Sequence, residues 1–273
     1  MRQNRPHRMN GESGAIKCTD AVQHKRGGAA RPIMGQVLIA RSKMSQDQVQ
    51  EFRDDYRRRH IGRRYSGIAH FCFTSLACLG AVAFCASRLH GVQWWEWLTV
   101  PATFLFANLV EHAGHRGPMH HPRRGLGLIF ERHTRQHHRF FTPQRMAFES
   151  VRDFKAVLFP PVLLLFFFGC FALPVGLPLA LLTTANIGWL FAATSIGYFL
   201  NYEWLHFSYH TPEDSWIARL PGVARLRRHH TLHHDHELMS HYNFNITYPI
   251  ADRLLGTLYR PQGGESKAAT ADI

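Results

Sequence analysis

Four long blocks of hydrocarbon side chains restrict what this chain can fold into. They are GIAHFCFTSLACLGAVAFCAS (67–87), VQWWEWLTVPATFLFANLV (92–110), AVLFPPVLLLFFFGCFAL (156–173) and LPLALLTTANIGWLFAATSIGYFL (177–200). A helix that crosses a bilayer needs roughly 17 to 25 mainly apolar residues, and each block meets that length. The first, third and fourth hold no Asp, Glu, Lys or Arg, and the second holds only Glu96, close to its start. Lipid offers no partner for a bare peptide group, so each block is expected as a helix whose backbone bonds close internally. The expected fold class is an all-α membrane protein with four transmembrane helices in two hairpins.

Charge orients the hairpins. Of the 32 Lys and Arg residues, 15 lie in 1–66, 8 in 111–153 and 7 in 201–273; Lys155 sits at a span edge and Arg88 in a short turn. Positive loops mark the cytoplasmic side. Both termini and both long polar segments are therefore expected in the cytoplasm, with the turns at Arg88 and at PVG (174–176) facing away. No apolar core in the first thirty residues resembles a cleaved signal peptide, which agrees with a cytoplasmic amino terminus. The excess of Arg over Lys points to a bacterial inner membrane, with the endoplasmic reticulum as the alternative. Topology accounts for the net charge of +13, and no recognition motif adds a nucleic-acid reading to it. A basic cytoplasmic face suits anionic headgroups or an acidic protein partner.

The rest of the chain divides around the spans. Residues 1–66 are basic: 1–43 lack any period and are expected to be disordered, and 45–64 (SQDQVQEFRDDYRRRHIGRR) read as a basic helix lying along the headgroups. Residues 67–262 form the membrane domain, and 263–273 a disordered tail. Five cysteines show no metal or disulfide spacing; Cys72, Cys78, Cys85 and Cys170 fall inside spans, where a thiol acts as a small apolar group.

Histidine carries the chemistry. Of 20 histidines, seven lie between 112 and 138 and eight between 206 and 241, on one face of the membrane by the topology above. EHAGHRGPMHH places His115 and His120 five apart, with Gly117-Pro118 expected to break the helix and turn both rings toward one point. ERHTRQHHRF puts His133 and His137 on one helical face with His138 one step around, so that adjacent rings reach two metals side by side. NYEWLHFSYH supplies His206 and His210, and HHTLHHD supplies His230, His233 and His234. One ion takes four to six ligands, so ten rings suit two ions, and imidazole alone does not choose among iron, zinc, copper and nickel. Glu111, Glu203, Asp235 and Asn243 are the nearby groups able to orient the rings. His112, His121, His229, His236 and His241 are left as surface, supporting or alternative groups.

The order H-x-x-x-x-H, H-x-x-x-H-H, H-x-x-x-H, H-x-x-H-H, interleaved with two hairpins over residues 100–260, resembles the fatty acid hydroxylase superfamily of membrane di-iron oxygenases. That group includes sterol desaturases, sphingolipid and fatty acyl hydroxylases and carotenoid hydroxylases. Glu111 in E-x-x-x-H-R, NFNIT (243–247) and DRLLGT (252–257) match further family stretches. The second motif departs from the pattern, with three residues between its first two histidines where the family has two. The resemblance implies two iron ions on the ten rings, and hydroxylation of a C–H bond of a fatty acyl, sterol or sphingoid lipid with O2. No stretch is suited to fold a haem or flavin domain, so electrons are expected from a separate ferredoxin- or cytochrome-type donor with its reductase. A desaturase with the same site is the nearest alternative, although membrane acyl desaturases show another motif order. A metal-binding or transport protein is a second, weakened because transporters place ionisable ligands inside their spans and these spans hold only His70 and Glu96. A zinc hydrolase is a third, weakened because its site has three protein ligands.

Overall fold

A computed structural model of the chain describes residues 44–261, and these contain helices and no strand. The expected disorder of 1–43 and of the 263–273 tail falls outside the described residues. Ser45 starts α1 (Gln46–His60) with a capping box, its hydroxyl accepting from the Gln48 amide and the Gln48 side chain returning to the Ser45 amide. Ser66 and Thr184 cap α2 (Gly67–Ser87) and α4 (Ala185–Tyr209) in the same way, through the Ala69 and Ile187 amides. Between them lie α3 (Thr99–Gly114) and the stretch Val151–Leu182, whose helix is interrupted at Phe159 and Pro160. After α4 come α5 (Pro221–His233) and the short α6 (Ile250–Leu254).

Two of these elements, α2 and Val151–Leu182, are long and apolar enough to cross a membrane. The first coincides with the predicted block 67–87. The second block begins its helix later than expected: Glu96–Leu98 forms a single tight turn and α3 has 16 residues. The fourth block runs into α4, whose second half dilutes its apolar side chains with Asn201, Glu203 and His206. The turn expected at PVG (174–176) lies instead at Thr183–Thr184. Pro174 is carried inside the continuing helix, directly after the wide turn Phe168–Ala172, and Gly176 packs against α4. Here Gly188 brings α4 so near that an added Cβ would lie 2.5 Å from the Ala180 Cβ.

The seam between α2 and α4 is apolar, with Cys78 and Cys85 buried beside Leu164, Ile196 and Leu200. Its far end is held by the one acid of the second block. Buried Glu96 accepts from the Gln93 amide (2.7 Å), the Asn186 amide group (3.1 Å) and the Thr184 hydroxyl, which ties the start of α3 to the start of α4. The helix α1 does not stand alone: Tyr56 and Ile61 pack with Phe140, Phe141 and Val157.

Gly188→Ala is expected to destabilise by about 1–3 kcal/mol through overpacking. Gly197→Ala in the same helix, where an added Cβ meets nothing within 4 Å, is expected to cost nothing. Thermal unfolding of both variants in detergent checks this.

Candidate metal centre

The polar stripe of α3 is where the site begins. Asn108, Glu111, His112 and His115 recur at intervals of three and four along an apolar helix, so they share one face. The helix then opens: Gly117 takes φ −83° and ψ −105°, which is not helical, and His120 swings back toward His115. Their Nε2 atoms are 3.2 Å apart. The expected break at Gly117-Pro118 is therefore what joins this pair.

All ten predicted rings come together and are nearly inaccessible to water. They form two groups. His115, His120, His133, His138 and His233 have their ring nitrogens within 4.8 Å of one another, and so do His137, His210, His230 and His234. His206 joins the second through His137, Nε2 to Nε2 at 3.2 Å. The second motif divides differently from expectation: His133 pairs with His138, not His137. Its backbone is a π-turn, in which the His138 amide donates to the His133 carbonyl, and the wider turn sets residues five apart beside one another. The fourth motif divides too, His233 facing the first group while His230 and His234 face the second. His138 and His234 stack at 4.3 Å where the groups meet.

Each ring has two nitrogens, and the outer one decides where the inner one points. His115 Nδ1 donates to the Phe244 carbonyl (2.5 Å), His137 to Ala156 (2.8 Å), His210 to Met146 (2.8 Å), His233 to Tyr242 (3.0 Å) and His234 to Phe141 (2.7 Å). His120 Nδ1 lies 3.3 Å from the Thr134 hydroxyl. A proton on Nδ1 leaves an unshared pair on Nε2, so where both rings are held this way the inner atoms meet lone pair to lone pair, as for His115 and His120 at 3.2 Å and His120 and His233 at 3.0 Å. Two neutral imidazoles repel in that arrangement. A cation between them reverses the sign, and ligand nitrogens at about 2.1 Å from one ion at right angles would be about 3.0 Å apart. The donor set thus fits a divalent transition metal in each group, and the groups contain histidine only, with no carboxylate.

The residues predicted to orient rings make bonds chiefly to backbone groups and hydroxyls around the site. Glu111 accepts from the amides of Ile246 (2.5 Å) and Thr247 (3.0 Å), the Thr247 hydroxyl (2.6 Å) and the Tyr198 hydroxyl. Asn243, at φ 58°, joins the His229 carbonyl to the Tyr259 amide. Glu203 accepts from the Phe159 amide at 3.3 Å, and Asp235 from that of Glu237 at 2.9 Å. His112 reaches the Thr257 hydroxyl (2.8 Å) and His229 the Asn245 carbonyl (3.1 Å), both beside Asp252. His121 and His241 are exposed, and His236 is half-buried. Asp252, which sequence reasoning passed over, accepts from the amides of Phe244 and Asn245 (both 2.9 Å) and so shapes the loop that carries the carbonyl for His115.

A cavity of about 480 Å³ opens against His115. Its walls are hydrocarbon from α3, α4 and Val151–Leu182, among them Phe106, Val110, Phe159, Phe191 and Phe199. The structure thus sets two adjoining all-histidine groups able to hold metal next to one another, the first of them meeting a hydrocarbon cavity through His115. The chain belongs to the fatty acid hydroxylase family, whose sequence profile, described as Fatty acid hydroxylase, matches residues 100–257, more than half of the chain. Among solved structures it is similar in fold to "Full length scs7p (only hydroxylase domain visible)", with a TM-score of 0.52, 17% identity, and coverage of 72% of this chain and 69% of that one. No curated protein matches the chain.

Burial keeps the rings neutral. It pushes His115 down to about 3 and His137 to about 4, from an ordinary 6.5, against the opposing pull of their carbonyl partners. His120, His133 and His138 are held well below the ordinary value by burial and then by their neighbours. A ring whose folded pKa is depressed binds fewer protons folded than unfolded, so stability is complete above about 6.5 and is lost as pH falls toward 3 to 4. For metal-free protein His115 and His137 are each expected to cost on the order of 2 kcal/mol at pH 5 relative to pH 7.5. Thermal unfolding of the chelator-treated protein across that range checks it; a flat profile would contradict the neutral-ring reading.

Proposed function

We propose that this protein is an integral membrane di-iron oxygenase that hydroxylates a C–H bond of a lipid. The observation that carries the reading is the meeting of ten converging imidazoles with a hydrocarbon cavity at His115. Family membership supports hydroxylase-type chemistry on lipids. The iron pair, the four crossings with both ends in the cytoplasm, and the external electron donor belong to the proposal.

His115, His120, His133, His138 and His233 would hold one iron, and His137, His206, His210, His230 and His234 the other. The reaction balances as R–H, O2, two electrons and two protons giving R–OH and water. The irons would supply the redox chemistry that activates oxygen toward an unactivated C–H bond. The protein supplies position. Phe106, Val110, Phe191 and Phe199 exclude water and hold an acyl, sterol or isoprenoid segment against His115, so that reactivity is spent on one stretch of carbon. Neutral rings bring no compensating charge, which leaves the centre cationic and suited to a reduced oxygen species. Electrons would come from a ferredoxin- or cytochrome-type protein with its reductase, docking on the basic surface.

Lipids of cells expressing the wild type, compared by mass spectrometry with cells expressing His234→Ala at equal protein level, are expected to show one class richer by an oxygen atom. Loss of two hydrogens would make the enzyme a desaturase, and no difference at all would remove the oxygenase reading. Gly114 lines the cavity, and an added Cβ there meets nothing within 4 Å. Gly114→Leu should therefore fill the cavity without disturbing its walls and lower turnover roughly tenfold or more, with metal content unchanged.

A further inference from the structure

Arg53 lies on α1, outside the stretch matched to the family, yet it is 1% exposed and each of its three guanidinium nitrogens has an acceptor. Nε donates to the Phe140 carbonyl at 2.8 Å, Nη2 to the Arg145 carbonyl at 2.6 Å and Nη1 to Glu149 at 2.8 Å. The fork also lies over the rings of Phe140 and Phe141, at 4.9 and 5.5 Å. Burying a guanidinium this deeply is costly unless its donors find acceptors, and here all three acceptors lie on one loop.

Their register is informative. The carbonyl that follows Phe140 is that of Phe141, which accepts from His234 Nδ1 at 2.7 Å. The carbonyl that follows Arg145 is that of Met146, which accepts from His210 Nδ1 at 2.8 Å. Arg53 thus grips the loop at two points, each one peptide before a carbonyl that aims a ring. Both rings belong to the His137, His210, His230, His234 group. The other group takes its aim from Phe244 and Tyr242, on a loop held by Glu111 and Asp252. Around the fork, Arg57 binds Glu149 (2.7 Å) and Asp153 (2.8 Å), and Asp153 in turn accepts from the Glu149 amide, so the acid beneath Arg53 is itself fixed.

We infer that Arg53 is a positioning residue for one metal subsite alone: it sets the Phe141 and Met146 carbonyls, and through them His234 and His210. This rests on the two-metal reading above. A planar fork reaching three acceptors cannot be replaced by an ammonium, so charge and geometry are separable by substitution.

The test is metal stoichiometry of the full chain in detergent, stripped and then reloaded anaerobically with ferrous iron alone, read by elemental analysis beside a thermal unfolding curve. The wild type is expected to retain two equivalents, and Arg53→Ala and Arg53→Lys about one each. Should Arg53→Ala not fold, Arg53→Lys, which keeps the charge and the stem, decides. Two equivalents retained by folded Arg53→Lys would overturn the inference, because charge or packing would then suffice. Loss of both equivalents from a folded variant would overturn it as well, since the effect would be general. A wild type that retains no iron would instead refute the two-metal reading, and this inference with it.

Discussion

An imidazole ring bound at one nitrogen to a fixed carbonyl has little freedom left at the other, and the rest of the site follows from that constraint. Five rings are held in this way by carbonyls of Phe141, Met146, Ala156, Tyr242 and Phe244. None of those carbonyls lies in a regular helix interior, where it would be occupied by the amide four residues on. The chain therefore has to leave helical geometry around the metal centre while still satisfying its remaining peptide groups. It does so at 141–150 and at 242–249, two loops clamped by polar side chains more than by backbone ladders, and at Ala156, at the end of a short helix where the residue four on is Pro160 and has no N–H to offer.

Those clamps connect the helical hairpins to the centre. On α3, Asn108 holds the Tyr248 carbonyl (2.8 Å) and the Ala251 amide (3.0 Å), and its own carbonyl accepts from Asn245 (3.0 Å). One turn on, Glu111 takes the Ile246 and Thr247 amides, and a further turn brings His115. A single helical face thus carries a ligand candidate and the two groups that shape the loop aiming it. Tyr198 from α4 closes the network on both Asn108 (3.0 Å) and Glu111. Displacing α3 relative to α4 would disturb the loop and the ring together.

What could be read in the sequence was whatever depends on side-chain identity. The first span, 67–87, is legible because its boundaries coincide with a change from polar to hydrocarbon residues, and Ser66 caps it. The ten rings are legible because histidine in that spacing has little other use. The partners that aim them are not, since a carbonyl carries no residue signature, whereas Glu111, Glu203, Asp235 and Asn243 stand out by side-chain type. The pairing of His133 with His138 depends on a π-turn that an i, i+4 reading misses. The turn at Thr183–Thr184 was hidden by PVG, which reads as a breaker until Gly176 and Gly188 are seen to need close contact. Arg53 resembled one more cation on a basic surface helix.

The division of adjacent histidines has a consequence for how the centre can assemble. His137 and His138 face different groups, as do His233 and His234. The first group draws on residues from 115 to 233 and the second from 137 to 234, so no single helix or neighbouring pair contains either one. Neither pocket exists until α3, α4, α5 and the two clamped loops are in place. Metal affinity at such a site is then folding free energy of the whole domain. The inner nitrogens of both groups converge and few of them have another partner, so a bound cation would tie together elements that are far apart in the chain. The same packing that excludes water and protons from the rings makes a cation the most favourable occupant.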